Sequence, residues 1–410
     1  MASRQNGART YLGARFSAVL ARFIDVVLPE RDKVLTRAKG LMRDNAAMRT
    51  RVTSRLLAAL GLVATLAAPI PASAEDLELT FDRILPARPV AAAQPGRTAA
   101  TPAPVAPVRP ELSRFVTPVR PVRGASEFST PFEAQIAALA RADAGRIGVA
   151  AMDLSTGRAI GVLGDQPFPM ASTSKIAIVA TFLQGVDEGR FRLTDQFPMM
   201  MPVPSRKFDG PVAPVRPGTM MSALGLIELT ITRSDNQATD ALLAAVGGPQ
   251  AVNRWLRQAG MNGIRIDRDI ATLVRDDGAV DPATHIDVRD SATPMAMVRL
   301  LSGLYNGQWL SASSRSVLIG AMERCVTGRR RIPALLPEGA RVAHKTGTLN
   351  NTTSDVAIIH TPDGRAMAVA IYVTGQGGRT PREGRIATIA RAIYDGYSGE
   401  STGSRPLASR

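Results

Sequence analysis

The chain predicts an α/β domain of the α+β kind, a mostly antiparallel sheet flanked by helices with an all-helical segment inserted. Three observations carry this expectation. Strand-like runs occur near residue 150 and return only after residue 340. The stretch between about 220 and 325 is mostly helical in its spacing. Tight-turn signals join neighbouring strand runs, so those neighbours should pair antiparallel. A sheet built from both ends of the domain, with helices between, satisfies all three.

Order begins near Pro131, and residues 132–139 have helical periodicity. Residues 147–152 and 159–163 read as two strands around the turn Ser155-Thr156-Gly157. Ser172 opens a long apolar helix running through Phe182 and Leu183. Strand runs return at 341–345, 355–360 and 367–373, the last two joined by Pro362-Asp363-Gly364. A final helix spans roughly 382–397.

The part before residue 131 has a different character. Residues 48–55 form a basic run, an apolar stretch follows from Leu56 to about Pro69, and Ala72-Ser73-Ala74 ends it. That order is a secretory signal peptide over 48–74, cleaved after Ala74, with an apolar core too short for a comfortable membrane span. Residues 1–47 then lie upstream of the true start at Met48 or Met42, or form a cytoplasmic extension that makes the apolar stretch an anchor. Residues 75–130 are rich in proline and alanine and read as a disordered, extended linker. The folded domain is expected at 131–398, with a disordered tail at 399–410. These features place the mature protein in the periplasm or outside the cell, touching membrane only through the signal peptide.

Net charge is +15, but it is uneven. Residues 1–74 carry 12 Lys/Arg against 4 Asp/Glu, and 75–124 carry 7 against 5, leaving only +5 for the rest. No nucleic-acid partner is therefore expected. The single cysteine, Cys325, excludes an internal disulfide framework and reads as a small buried hydrophobe. His285, His344 and His360 lack metal-ligand spacing, so neither a metal nor a cofactor is implied.

Three short motifs follow in order: Ser172-Thr173-Ser174-Lys175, Ser234-Asp235-Asn236 and Lys345-Thr346-Gly347. Each alone is weak, since a serine cap beside a solvated lysine would produce the first and a helix cap the second. Together they supply the parts of a serine acyl-transfer site. Ser172, at a helix start, is the candidate nucleophile, and Lys175 lies one turn on along the same face. A crowded, desolvated Lys175 loses its proton readily and can take that of the serine. Ser234 offers a second hydroxyl for relay, and Asn236 an amide for a substrate carbonyl. Lys345, Thr346 and Thr348 offer a cation and two hydroxyls to an anionic group, while Gly347 allows close approach to the backbone. The N–H groups of Ser172 and Thr348 are the candidates for an oxyanion hole.

On these motifs the chain resembles the class A serine β-lactamases of the penicillin-binding serine hydrolases, over roughly residues 130–398. Further likeness lies in Gly145-Arg146-Ile147-Gly148-Val149-Ala150, Phe168-Pro169-Met170, Gly247-Gly248-Pro249, Val252-Asn253-Arg254-Trp255-Leu256 and Asp290-Ser291-Ala292-Thr293-Pro294. The resemblance implies a β-lactamase/transpeptidase-like fold and a monomer that opens β-lactam amides through an acyl-enzyme on Ser172. It also admits a penicillin-binding D,D-peptidase acting on peptidoglycan stem peptides, or a β-lactam sensor that stays acylated.

One departure bears on release of the acyl group. The family's loop reads D-R-x-E-x-x-L-N, and its glutamate activates the deacylating water. Here Asp267, Arg268 and Leu273 match, but Ile270 stands at the glutamate position and Val274 at the asparagine position. No glutamate occurs between Glu228 and Glu323. Asp269, one position away, is the remaining candidate base on this loop.

Overall fold

The computed structural model describes residues 112–119, 130–203 and 210–399. The expected extension at 1–47, the expected signal peptide at 48–74, most of the expected linker and the expected tail beyond 399 lie outside the described residues. One piece of the expected linker is described, and it is paired rather than free. Val116–Pro118 (β1) runs antiparallel to His285–Asp287, and Val116 is buried. Its proline made this stretch read as linker, yet Pro118 sits at the strand end, where no ladder N–H is needed.

Pro131–Leu139 (α1) starts at a capping box in which Thr130 Oγ1 accepts from Glu133 N and the Glu133 carboxylate accepts from Thr130 N, both at 3.2 Å. Gly145–Asp153 (β2) and Ala159–Val162 (β3) form the expected hairpin. Phe168–Pro169 (β4) is followed by a 3-10 turn at Ala171–Ser174 and then by Lys175–Asp187 (α2). Residues 176–183 of α2 are all buried, so this helix has no polar face and must be enclosed on every side.

Gln196–Pro202 (β5) and Val215–Ser222 (β6) pair as a separate hairpin. Helices Ala223–Thr232 (α3), Asn236–Val246 (α4) and Pro249–Gln258 (α5) come next. A long loop then carries Ile264–Arg265 (β7), Ile270–Arg275 (α6), His285–Asp287 (β8) and Ser291–Ala292 (β9). Pro294–Asn306 (α7) and Ala312–Glu323 (α8) complete the helical part. Arg341–Leu349 (β10), Thr352–His360 (β11) and Ala366–Gly375 (β12) return to the sheet, and Arg379–Gly399 (α9) follows. Strands β5 to β9 have no counterpart among the expected elements. Met199-Met200-Met201 between prolines hides any alternation in β5, and β7 to β9 are two or three residues long.

The main sheet has the order β10-β11-β12-β2-β3, antiparallel throughout. Pairing of β12 with β2 joins the two ends of the domain, as expected. Ile147, Val149, Ala151, Met367, Val369, Ile371 and Val373 face one side, where they meet Phe132, Ile136, Ile386, Ile389 and Ile393 of α1 and α9. The alternate positions Ala150, Ala368, Ala370 and Tyr372 join the core around α2 and α7. The strands show two apolar faces because both are covered.

Gly148 lies opposite Tyr372, and a methyl there would stand 2.3 Å from the Phe168 ring. That ring is fully buried, stacked on Tyr372 at 5.8 Å and covered by the Arg146 guanidinium at 4.2 Å. Gly148→Ala is expected to destabilise the domain by ~1–3 kcal/mol through overpacking, read as a lowered thermal midpoint.

Candidate active site

The turn that carries Ser172, the candidate nucleophile, is built from backbone strain and local hydroxyl bonds. Ala171 holds φ at 49°, in the left-handed region that alanine avoids. Thr173 Oγ1 donates to Met170 O and Ser174 Oγ to Ala171 O, each at 2.8 Å, which turns both side chains inward. Thr173, Ser174 and Lys175 are buried, while Ser172 remains partly exposed. The helix start expected at Ser172 is therefore a 3-10 turn, with α2 proper beginning at Lys175.

Lys175 is fully buried, and its Nζ donates to Ser234 O at 2.5 Å and Asn236 Oδ1 at 2.7 Å, with Ser234 Oγ and Asp235 O at 3.3 Å. Burial and the neighbouring Lys345 charge hold this amine well below the usual lysine range. Among the described residues, no hydrogen bond joins Ser172 to Lys175 within bonding distance. The motif serine has its own strain, with φ at 59° for Ser234. Asp235 takes the cap of α4 by accepting from Ala238 N at 2.8 Å, so Ser234 is not a helix cap.

Strand β10 closes the opposite wall. Lys345 is fully buried and donates to Thr346 O at 3.1 Å. Thr346 Oγ1 lies 2.7 Å from Thr327 Oγ1. A methyl on Gly347 would stand 2.5 Å from Met170 O and 2.4 Å from Ser354 Oγ. The backbone that approaches Gly347 is thus the nucleophile turn itself. Thr348 Oγ1 accepts from Arg331 Nη2 at 2.7 Å. Arg331 is fully buried, also donates to Gly347 O and Ser354 O, and pairs with Glu383. Sequence reasoning missed it, because Arg329-Arg330-Arg331 reads as an ordinary solvated basic run.

Behind β10 lies a second polar group that spacing did not reveal. His344 Nδ1 is 3.0 Å from Asp355 Oδ1, and both residues are buried. Burial opposes the imidazolium, but the Asp355 carboxylate outweighs it and pushes His344 up to about 10. Cys325 is not the expected buried hydrophobe. It is partly exposed, its Sγ lies 3.2 Å from Thr327 Oγ1, and its hydrogen bond to His344 brings the thiol down to about 7 against the effect of burial.

The loop carrying the departure is occupied by caps. Asp269, the candidate base, accepts from Thr272 N at 2.7 Å and caps α6. Ile270 is buried, while Val274 is exposed. Asp240 of α4, one turn after Asn236, was missed. Its carboxylate accepts from Ile270 N at 2.7 Å and Ala271 N at 2.9 Å, and burial raises it to about 6.

Residues 131–397 match the family model described as the beta-lactamase enzyme family. The chain is 31% identical over 267 residues to beta-lactamase CTX-M-25 of Escherichia coli, covering 64% of this chain and 88% of the relative. It is 30% identical over 270 residues to beta-lactamase CTX-M-8 of Citrobacter amalonaticus, with the same coverages of 64% and 88%. Among solved structures, it is similar to an ancestral class A β-lactamase with a TM-score of 0.56 and 36% identity, covering 65% of this chain and 99% of that one. A β-lactamase from Chitinophaga pinensis superposes with a TM-score of 0.55 at 29% identity, covering 65% and 97%.

The His344–Asp355 pair makes a signed prediction. The imidazole is raised from 6.5 to about 10, so the pair's stabilisation is complete below pH 6.5 and is lost as pH climbs through about 10. Asp355→Asn should cost ~3–5 kcal/mol at neutral pH, the usual effect of breaking a buried pair. Thermal melts across the neutral-to-alkaline range should show the parent weakening with pH and the variant responding far less.

Proposed function

The chain belongs to the class A serine β-lactamase family, and from that premise we propose that it acylates quickly on Ser172 and releases the acyl group slowly. The Ser172 hydroxyl attacks the lactam carbonyl while neutral Lys175 takes its proton. Ser234, whose Oγ lies 3.3 Å from Lys175 Nζ, passes a proton to the ring nitrogen as the C–N bond breaks. The N–H groups of Ser172 and Thr348 receive the developing oxyanion. With Asn236 Oδ1 turned to Lys175, the NH₂ of that amide is left to donate to a substrate carbonyl. Lys345, Thr346 and Thr348 hold the substrate carboxylate, with Arg331 orienting the last hydroxyl.

The observation that carries slow release is the state of the loop. Ile270 occupies the glutamate position, and the adjacent Asp269 carboxylate is committed to Thr272 N. A positioned base contributes about a hundredfold to ten-thousandfold, and here none is in place on this loop. The same observation supports a second reading, in which a long-lived acyl-enzyme serves a penicillin-binding D,D-peptidase or a sensor. The pattern at 48–74 supports action in the periplasm or outside the cell, on a small-molecule β-lactam or a stem peptide.

Nitrocefin hydrolysis by the purified protein, followed from the first seconds, tests this. A burst stoichiometric with enzyme and a slow steady rate are expected, both absent in Ser172→Ala. Immediate fast turnover without a burst would overturn slow release, and no reaction at all would overturn the hydrolase reading. Ile270→Glu should raise the steady rate by about a hundredfold or more, because it returns a carboxylate to the site of water activation.

A further inference from the structure

The loop between α5 and α7 is closed at its neck by two carboxylates. Asp290 accepts from Asp267 N at 2.8 Å, Arg268 N at 3.1 Å and Arg268 Nε at 2.6 Å, and Asp267 accepts from Asp290 N at 3.3 Å. A second clasp comes from β1, outside the region matched by the family model, which begins at residue 131. The β1–β8 ladder is extended by Val288 N donating to Phe115 O at 3.0 Å and Val119 N donating to Thr284 O at 2.8 Å. The Phe115 ring is approached by three guanidinium groups, with Cζ of Arg114 at 4.7 Å, Arg289 at 5.4 Å and Arg265 at 5.5 Å.

Two of those arginines, Arg265 and Arg289, belong to different arms of the neck. Arg265 ends β7 on the entry arm, and Arg289 follows β8 on the exit arm. Each is tied to its own arm, Arg265 to Asp267 and Arg289 to Asp287. Like charges brought this close repel, and an aromatic face offsets that repulsion. One ring therefore contacts both arms, alongside the Asp267–Asp290 clasp.

We propose that Phe115 is a positioning residue for hydrolysis at Ser172. It holds the two arms together in the arrangement that keeps Asp269 on its capping bond, and so lengthens the life of the acyl-enzyme. Without the ring, Arg265 and Arg289 separate and the start of α6 loosens. The Asp269 carboxylate is then released to accept a proton from the attacking water, whose oxygen forms the new bond to the acyl carbon as the ester bond to Ser172 breaks and that proton is returned to the Ser172 oxygen. This rests on the reading of Ser172 as the acylated group.

The test uses the full chain with Phe115→Leu, which keeps apolar bulk without the ring, and Phe115→Trp, which keeps a ring. Nitrocefin burst amplitude reports acylation, the steady rate reports release, and amide exchange of the unacylated protein reports loop order. Phe115→Leu should keep the burst, release about threefold faster or more, and lose protection at 266–276 as well as at 284–288, while Phe115→Trp behaves as the parent. A release rate in Phe115→Leu equal to or slower than the parent's overturns the proposal. So does loss of protection confined to 284–288, or a Trp variant that behaves as the Leu variant. If neither parent nor variants react with nitrocefin at all, the hydrolase reading fails instead, and the exchange pattern alone decides whether the ring orders the loop.

Discussion

Lys175 and Lys345 are both fully buried at one seam, where the nucleophile turn, the start of α4 and strand β10 meet. An uncompensated ammonium in such a place is costly enough that the group either gathers acceptors or gives up its proton. The surrounding structure answers with backbone. Ser234 O and Asp235 O turn toward Lys175, which the left-handed φ of 59° at Ser234 accompanies, and Asn236 supplies its amide oxygen. On the other side, a glycine at 347 lets β10 close on the Met170 carbonyl. Burial first, and then the Lys345 charge, hold Lys175 well below the usual lysine range and favour its neutral form. The burial that makes the seam expensive to build is also what would suit Lys175 to the proposed role of base.

Elements whose pattern is set by two-sided burial were legible in the chain. Ile147, Val149 and Ala151, then Met367 through Val373, read as strands because every position on both faces is apolar or small. The serine and lysine motifs were legible by their order. What escaped depends on register. His344 pairs with Ala357, which places Asp355 diagonally across on the same face, and only the pairing of β10 with β11 shows this. Arg331 and Asp240 escaped for a related reason. A buried arginine and a buried aspartate look like solvated ones until their partners, Thr348 and the Ile270 amide, are brought to them from distant parts of the chain.

β1 is the converse case, where a correct local signal gave an incorrect outcome. The proline content of 75–130 is unsuited to a core, and nothing in the segment itself marks residues 112–119 as different. Their order comes from a ladder offered by β8 and from guanidinium groups at Arg265 and Arg289, over 140 residues away along the chain for both of these. Pairing against a pre-existing strand requires backbone groups and one ring, with little demand on the rest of the sequence.

The caps on α6 bear on which group can activate water. This short helix presents the N–H groups of Ile270, Ala271 and Thr272, and all three are met by carboxylates, two by Asp240 and one by Asp269. The acidic groups nearest the missing glutamate are therefore spent on holding the loop. Burial raises Asp240 to about 6, but both of its oxygens are held by the backbone N–H groups of Ile270 and Ala271. On the proposed route Lys175 is neutral again once its proton has passed through Ser234 to the leaving nitrogen. It is then the group left to take a proton from water, at a seam arranged for the first half of the reaction. Acylation and release would share one base in place of two, and the loop that elsewhere in the family supplies the second would serve here as a wall.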